Sequence, residues 1–197
     1  MSAQPVYYLI SVNERGFVFS ARMPLQALPA LGSLVKTPLD ATRELVGLIY
    51  SIEIQGNEIT RALSVHAEQL DPAEIEYHRN RLMPVNVSVL NVGYLEQQGS
   101  TKRAVHLPPS RLPATLSEVH PLTNLEAQLF VQHAQPIFER IASFLSDQMV
   151  EISAAFIVWV AGNDRARRQQ LCRALVLAWG LQLDKVDAVV RQVGENL

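Results

Sequence analysis

The sequence predicts an α+β protein in which a small N-terminal β-barrel is followed by a helical C-terminal extension. Short runs of β-branched and aromatic residues, separated by turns, fill the first half of the chain. Three prolines interrupt this pattern at Leu107–Pro113, and apolar residues recur at helical spacing beyond it. We therefore expect a β-barrel domain over residues 1–112 and a helical domain over residues 113–197.

The first two strands are expected to form a hairpin. Val6–Val12 is rich in β-branched and aromatic residues, and the polar turn Asn13–Gly16 leads directly into a second such run, Phe17–Ala21. Gly47 lies inside the strongest later strand and indicates a bulge or a close backbone approach. The later strands are predicted over residues 34–37, 45–54, 85–95 and 102–106.

One short helix is expected to be inserted between the barrel strands. Asp71 suits the N-cap position, and Pro72 suits the first position of a helix. The polar and apolar residues that follow fit a helix as far as Leu82, and Pro84 ends it. The inserted helix is therefore predicted at about residues 72–82.

Beyond the prolines the apolar pattern is typical of a helical layer. Residues 148–160 are apolar almost all round, which indicates a buried helix, and Gly180 is placed to end the helix that follows. The predicted helices cover residues 125–130, 136–147, 148–160, 165–179 and about 184–193.

Composition and charge argue against several classes of protein. With 48% hydrophobic and 18% charged residues, the chain is not expected to be disordered. Its net charge of −2 provides no overall attraction to nucleic acid. The most apolar segment, Ile152–Val160, is shorter than the roughly 20 residues that cross a bilayer, and Met1–Pro5 does not resemble a signal peptide. A soluble cytoplasmic protein with no membrane partner is expected.

No motif in the sequence indicates catalysis. Gly32–Thr37 ends in Lys-Thr but lacks the glycines with which a phosphate-binding loop wraps its ligand. The five histidines are dispersed and form no i, i+3 or i, i+4 pair that would ligate a metal, and a serine-hydrolase elbow is not found. We therefore predict that the protein is not an enzyme, with no catalytic, cofactor-binding or metal-binding residues, no cofactor and no small-molecule substrate.

The single cysteine, Cys172, rules out an intramolecular disulfide. It lies in the predicted helix 165–179, whose neighbouring residues face the core, so a buried and unreactive thiol is expected. Arg168 and Arg173 are close in sequence, however, and nearby cations favour a reactive thiolate. The sequence is compatible with either an unreactive or a reactive Cys172.

Four arginines are clustered in that helix: Arg165, Arg167, Arg168 and Arg173. Cations in the first turn of a helix oppose its dipole, and such a conflict is typical of a surface that binds an acidic partner or a phosphate backbone. The alternative is a solvated face balanced by Asp164 and other acidic residues. No aromatic residues are interleaved with the arginines, which argues against binding of a single strand by stacking.

Two segments resemble the opening of the HAS-barrel family. They are Leu31–Lys36 (LGSLVK) and Val46–Ile52 (VGLIYSI), which match the family's G-x-x-V strand and G-x-V/I-Y strand. The family's L-P-P-x-P exit is similar to Leu107–Pro113, in which the last proline is displaced. The HAS-barrel is the small β-barrel shared by HerA-type DNA translocases and the catalytic-core subunits of ATP synthases.

Arg61–Ser64, the inserted helix and the strand Val85–Tyr94 are similar to a stand-alone bacterial form of this family, in which a helical tail replaces the motor domain. In HerA-type proteins the barrel lies at the top of a hexameric ring and helps to dock a nuclease. The resemblance thus implies a non-catalytic binding or assembly module, associated with a HerA-like DNA-processing ATPase or with copies of itself. Nucleic-acid binding through Arg165, Arg167, Arg168 and Arg173 is the alternative.

Overall fold

The computed structural model describes residues 7–21, 29–54, 65, 71–74, 85–180 and 182–195. Seven antiparallel strands within these residues form one sheet. Six of them close into a barrel in the order β2-β1-β7-β3-β4-β5, because β2 also pairs with β5, and β6 extends from β5 as a hairpin. The strands are β1 (Tyr7–Val12), β2 (Gly16–Ala21), β3 (Leu34–Pro38), β4 (Arg43–Ile54), β5 (Val85–Gln98), β6 (Thr101–Val105) and β7 (Glu118–Pro121).

Helices follow the barrel, so the predicted α+β fold with an N-terminal barrel and a helical extension is confirmed. In the described part of the chain, no helix is both long enough and apolar enough to cross a membrane. The helices are α1 (Asn124–Phe130), α2 (Gln135–Phe144), α3 (Met149–Ala161), α4 (Arg165–Trp179) and α5 (Leu183–Glu195), and a 3-10 turn (Val131–His133) connects α1 to α2.

Part of the predicted N-terminal half lies outside the described residues. Residues 72–74 of the inserted helix predicted at about 72–82 are described and helical, while its remainder is not among them. Arg61–Ser64, one of the segments that carries the family resemblance, also lies outside the described residues, as do His66 and His78.

One barrel strand, β7, was not predicted from the sequence. It pairs with β1 and β3 and closes the barrel between them. The strand comes after the prolines, so the predicted boundary at 112/113 separates it from the strands with which it pairs. Its four residues, EVHP, are too few and too polar to produce the alternating apolar pattern by which strands are recognised.

Strand β4 separates two apolar cores. Leu45 and Ile49 point into the barrel interior, where they pack with residues of β1, β2 and β5. Val46 and Leu48 point outward and belong to the same buried cluster as the helices. Five consecutive residues of β4 are therefore buried, which explains why its sequence is apolar on both faces.

Gly47 is required for the contact of β4 with the rest of the barrel. A β-carbon at this position would lie 2.2 Å from the Cγ1 atom of Val89 and 2.9 Å from the ring of Phe17. The pairing of β4 with β5 also shifts register between Val46 and Gly47. The close approach predicted for this glycine is present, whereas the extra residue of the irregular pairing, Val92, lies opposite it on β5.

A network of four alternating charges joins the helical layer to the barrel. Lys36 of β3 and Lys102 of β6 each bind both Glu44 of β4 and Glu126 of α1, at nitrogen–oxygen distances of 2.6–2.8 Å. Thr123 caps α1 through a capping box with Glu126. Burial alone would raise the pKa of Glu126, but hydrogen bonds from the two lysines and from the Thr123 backbone outweigh it and lower the pKa to about 2.

The helical layer has its own aromatic core. Phe138 of α2 and Phe156 of α3 are fully buried and meet edge to face, with ring centroids 5.6 Å apart. The indole Nε1 of Trp179 in α4 donates a hydrogen bond of 3.0 Å to the carbonyl oxygen of Phe138. Helices α2, α3 and α4 thus contact one another at Phe138.

Candidate binding cleft

A cleft of about 260 Å³ lies between the β1–β2 turn and the C-terminal end of α2. It is therefore bordered by the barrel on one side and by the helical layer on the other. Residues from the turn, from four barrel strands (β1, β2, β4 and β5) and from the C-terminal end of α2 line it, among them Asn13, Arg15, Tyr50, Leu90, Phe144 and Leu145.

The turn that carries Arg15 is held by two asparagines. The Oδ1 atom of Asn13 accepts hydrogen bonds from the backbone nitrogens of Arg15 and Gly16, at 2.9 and 3.0 Å, which is an Asx turn. The buried side chain of Asn91 in β5 donates to the carbonyl oxygens of Asn13 and Glu14. The turn is therefore fixed to the barrel wall, and the backbone of Arg15 has a defined position.

Arg140 of α2 is not part of the cleft lining but contacts Phe144, which is. The Nε of Arg140 donates a hydrogen bond to the carbonyl oxygen of Asn91, and burial lowers the pKa of its guanidinium. Arg140 and Phe144 are four residues apart, so they share one face of the helix. Asn91 thus contacts both sides of the cleft, because its side chain binds the turn and its carbonyl binds Arg140.

Two guanidinium groups face the ring of Phe144. The central carbon of Arg15 is 5.6 Å from the ring centroid, and that of Arg140 is 5.3 Å from it, both within the range of a cation–π contact. None of the ion pairs among the described residues includes either arginine. The Phe144 side chain is 41% exposed. We call these three residues the Arg–Phe–Arg cluster.

The Arg–Phe–Arg cluster has the chemistry of a site for an anionic group. Guanidinium groups bind carboxylates and phosphates through paired hydrogen bonds, and the adjacent ring contributes apolar contact area. Two cations held beside each other repel, and an incoming anion removes that repulsion.

One of the four arginines predicted as a partner surface, Arg167, does not share a face of α4 with Arg165. At 3.6 residues per turn, Arg167 lies about 160° around the helix from Arg165. Arg165 and Arg173 are exposed, whereas Arg167 and Arg168 are partly buried. Asp164 caps the helix by accepting from the backbone nitrogen of Arg167 at 3.1 Å.

Arg168 and Cys172 belong to the interior side of α4. The guanidinium of Arg168 donates to the carbonyl oxygen of Gly162, at the preceding turn. Burial raises the pKa of the Cys172 thiol, and the charge of Arg168 only partly opposes this. Of the two interpretations of Cys172, the geometry favours the unreactive thiol.

The described histidines do not form a metal centre. In the part of the chain that the structure describes, no three His, Cys, Asp or Glu side chains are grouped so that they could hold an ion. His106 packs against Phe130 with ring centroids 4.5 Å apart, and burial lowers its pKa. The Nε2 of His120 lies 3.1 Å from a carboxylate oxygen of Glu118 at the barrel surface.

Sequence reasoning missed the Arg–Phe–Arg cluster. The spacing of Arg140 and Phe144 was a local signal, since residues four apart on a helix are neighbours. Arg15 carried no such signal, because its place in the cleft depends on how the hairpin packs against the helices. No protein-family model matches this chain, and a search of curated proteins also found no match. The resemblance to the HAS-barrel family therefore stays a prediction.

Proposed function

We propose that this protein is a non-catalytic binding and assembly module that docks an acidic surface of a protein partner at the Arg–Phe–Arg cluster. The observation that carries the proposal is the pairing of two guanidinium groups around one half-exposed aromatic ring, with no ion-pair partner among the described residues. Arginine and aromatic side chains are enriched among the residues that contribute most to protein–protein affinity.

The packing of the barrel supports recognition at an outer surface. The interior is filled by apolar side chains that are at most 3% exposed, among them Leu9, Phe19, Ile49 and Val87. A small barrel filled in this way is a rigid support and does not enclose a ligand. The cleft is built on that support, because Asn91 fixes both the turn of Arg15 and the side chain of Arg140.

The family resemblance supplies the expected partner. HAS-barrels of the HerA type take part in ring assemblies, so we propose a HerA-like DNA-processing ATPase of a bacterial cytoplasm as the protein to which this module binds. Self-association through the same cleft is the second form of the proposal. In both forms a carboxylate of the partner would lie between Arg15 and Arg140.

The experiment measures binding of the purified HerA-like ATPase from the same genome by calorimetry, and the oligomeric state of the protein alone by light scattering. Arg15→Glu and Phe144→Ala test the cleft, and Arg165→Glu, an exposed arginine on α4, is the matched control. The melting temperature of each variant is compared with that of the original protein, so that loss of binding is not confused with unfolding.

We expect Arg15→Glu to weaken the complex, or the self-association, at least about tenfold, because it replaces an attraction by a repulsion. Arg165→Glu should leave it within about twofold. The proposal is wrong if the protein is monomeric and does not bind the ATPase, or if a complex forms that Arg15→Glu and Phe144→Ala leave unchanged.

A further inference from the structure

A groove between α1 and α4 forms a second candidate recognition site. Two neighbouring clefts, of about 290 and 130 Å³, are both lined by Gln128 and Arg167, so they adjoin at these two residues. The larger part extends to Trp159 at the end of α3, and the smaller part extends to Gln170. We call this the amide groove, after the side chains that line one of its walls.

That wall consists of amide side chains at a regular spacing. Asn124, Gln128 and Gln132 are four residues apart, which places them along one side of α1 and the turn that follows it. Gln170 faces them from α4. None of these four amide groups forms a side-chain hydrogen bond with another described residue, so their donors and acceptors are available to a ligand.

Arg167 provides the charge of the groove. Its side chain is partly buried and belongs to none of the ion pairs among the described residues. It also points away from the two exposed arginines of α4, because Arg165 and Arg173 lie about 160° and 120° from it around the helix axis. Arg167 is thus the one cation among the described residues that line the groove, whereas the sequence predicted a basic surface of four arginines.

Trp159 provides an aromatic surface at the other end. Its side chain is partly buried against the helical core and borders the larger cleft. A volume of about 290 Å³ is close to the lower limit of typical small-molecule sites, which is about 300 Å³. A ligand of moderate size can therefore contact the ring, the amides and Arg167 together.

We propose that the amide groove binds a nucleotide unit, either free or within a single-stranded nucleic acid. Amide side chains pair with the donor and acceptor edges of unpaired bases, the accessible part of an aromatic ring stacks on a base, and a guanidinium binds the phosphate. A neutral sugar would leave Arg167 unused. A double helix would leave Trp159 unused, because its bases are already stacked.

Binding is measured by polarisation of fluorescently labelled oligonucleotides, with single-stranded DNA, single-stranded RNA and duplex DNA as separate arms. Free nucleoside monophosphates are tested by competition. The variants are Arg167→Ala, Gln128→Ala, Trp159→Ala and Trp159→Phe, and the matched control is the double variant Arg165→Ala with Arg173→Ala, which removes the exposed arginines. Melting temperatures confirm that every variant is folded.

The expected result is binding of single strands but not of duplex DNA. Trp159→Ala should weaken binding roughly 5- to 150-fold, as expected for the loss of one stacked base, whereas Trp159→Phe should restore most of it. Arg167→Ala should also weaken binding and make it less sensitive to salt. Competition by free nucleotides at similar affinity would assign the site to a mononucleotide, and competition only by strands would assign it to nucleic acid.

Two results would overturn the inference. One is no detectable binding of any single strand or free nucleotide up to millimolar concentration. The other is binding that the double variant of Arg165 and Arg173 abolishes and that Arg167→Ala and Trp159→Ala leave unchanged. That result would assign the binding to the exposed arginines. Neither result bears on the Arg–Phe–Arg cluster, because Arg15 and Phe144 take no part in the groove.

Discussion

Gly32 and Phe156 approach so closely that a β-carbon on Gly32 would lie 2.4 Å from the backbone nitrogen of Phe156. Gly32 precedes β3, and Phe156 lies in the middle of α3, so this is a direct contact of the barrel with the helical layer. Gly32 also has a φ of +76°, a conformation that residues with a β-carbon rarely adopt.

We expect Gly32→Ala to destabilise the protein by roughly 2–4 kcal/mol, because it adds both backbone strain and a clash with helix backbone. The free energy of unfolding is measured by urea denaturation. Gly99 is the control, since it also has a positive φ but no atom lies within 4 Å of an added β-carbon. If Gly99→Ala costs as much as Gly32→Ala, the contact with Phe156 is not the cause.

Phe156→Ala tests whether α3 is central to the helical layer. The side chain is fully buried and packs edge to face on Phe138, so its removal should cost about 3–5 kcal/mol. Leu177→Ala, at a position that is 69% exposed, should change stability by less than about 0.5 kcal/mol. A cost below about 1 kcal/mol for Phe156→Ala would contradict this placement of the helix.

The charge network predicts a loss of stability in acid. The folded-state pKa of Glu126 is about 2, and that of Glu44 is lowered by Lys102 and Lys36 against the opposing effect of burial. Because both carboxylates have a lower pKa when folded, the unfolded chain binds more protons below about pH 4.5. The free energy of unfolding should therefore fall between about pH 4.5 and pH 2.

Glu126→Gln isolates the contribution of that carboxylate. At pH 7 it should destabilise the protein by about 1–3 kcal/mol, since the enclosed Lys36 and the partly exposed Lys102 each lose one of their two carboxylates, and the acid slope should become shallower. Glu151→Gln, an exposed change on α3, should have little effect on either quantity. An unchanged acid slope in Glu126→Gln would show that the network does not determine the pH dependence.

The Cys172 thiol is expected to react slowly. Burial raises its pKa, so little thiolate is present at pH 7. Reaction with a disulfide reagent should be at least about tenfold slower in the native protein than in denaturant, and Arg168→Ala should not accelerate it. A native rate equal to that of the unfolded chain would contradict the protection expected of this partly buried thiol.

Most helices and strands were predicted close to their observed bounds because their signals are local. Asp164 and Gly180 mark the ends of α4, and both act through hydrogen bonds within a few residues of the helix. The alternating valines of β5 likewise indicate a strand with one face in the barrel. β7 lacked such a signal because its sequence is short and polar. It forms a strand because it pairs with β1 and β3.

Local sequence patterns predicted every strand except β7, the helices that follow the barrel, the buried character of α3, and the glycine needed at position 47. Two relationships follow only from the tertiary structure: β7 closes the barrel, and Arg15 meets Arg140 at Phe144. The difference arises from the distance along the chain over which the interactions act. Propensity, capping and periodicity act over a few residues, whereas these contacts join distant segments whose positions depend on how two apolar cores pack on opposite faces of β4.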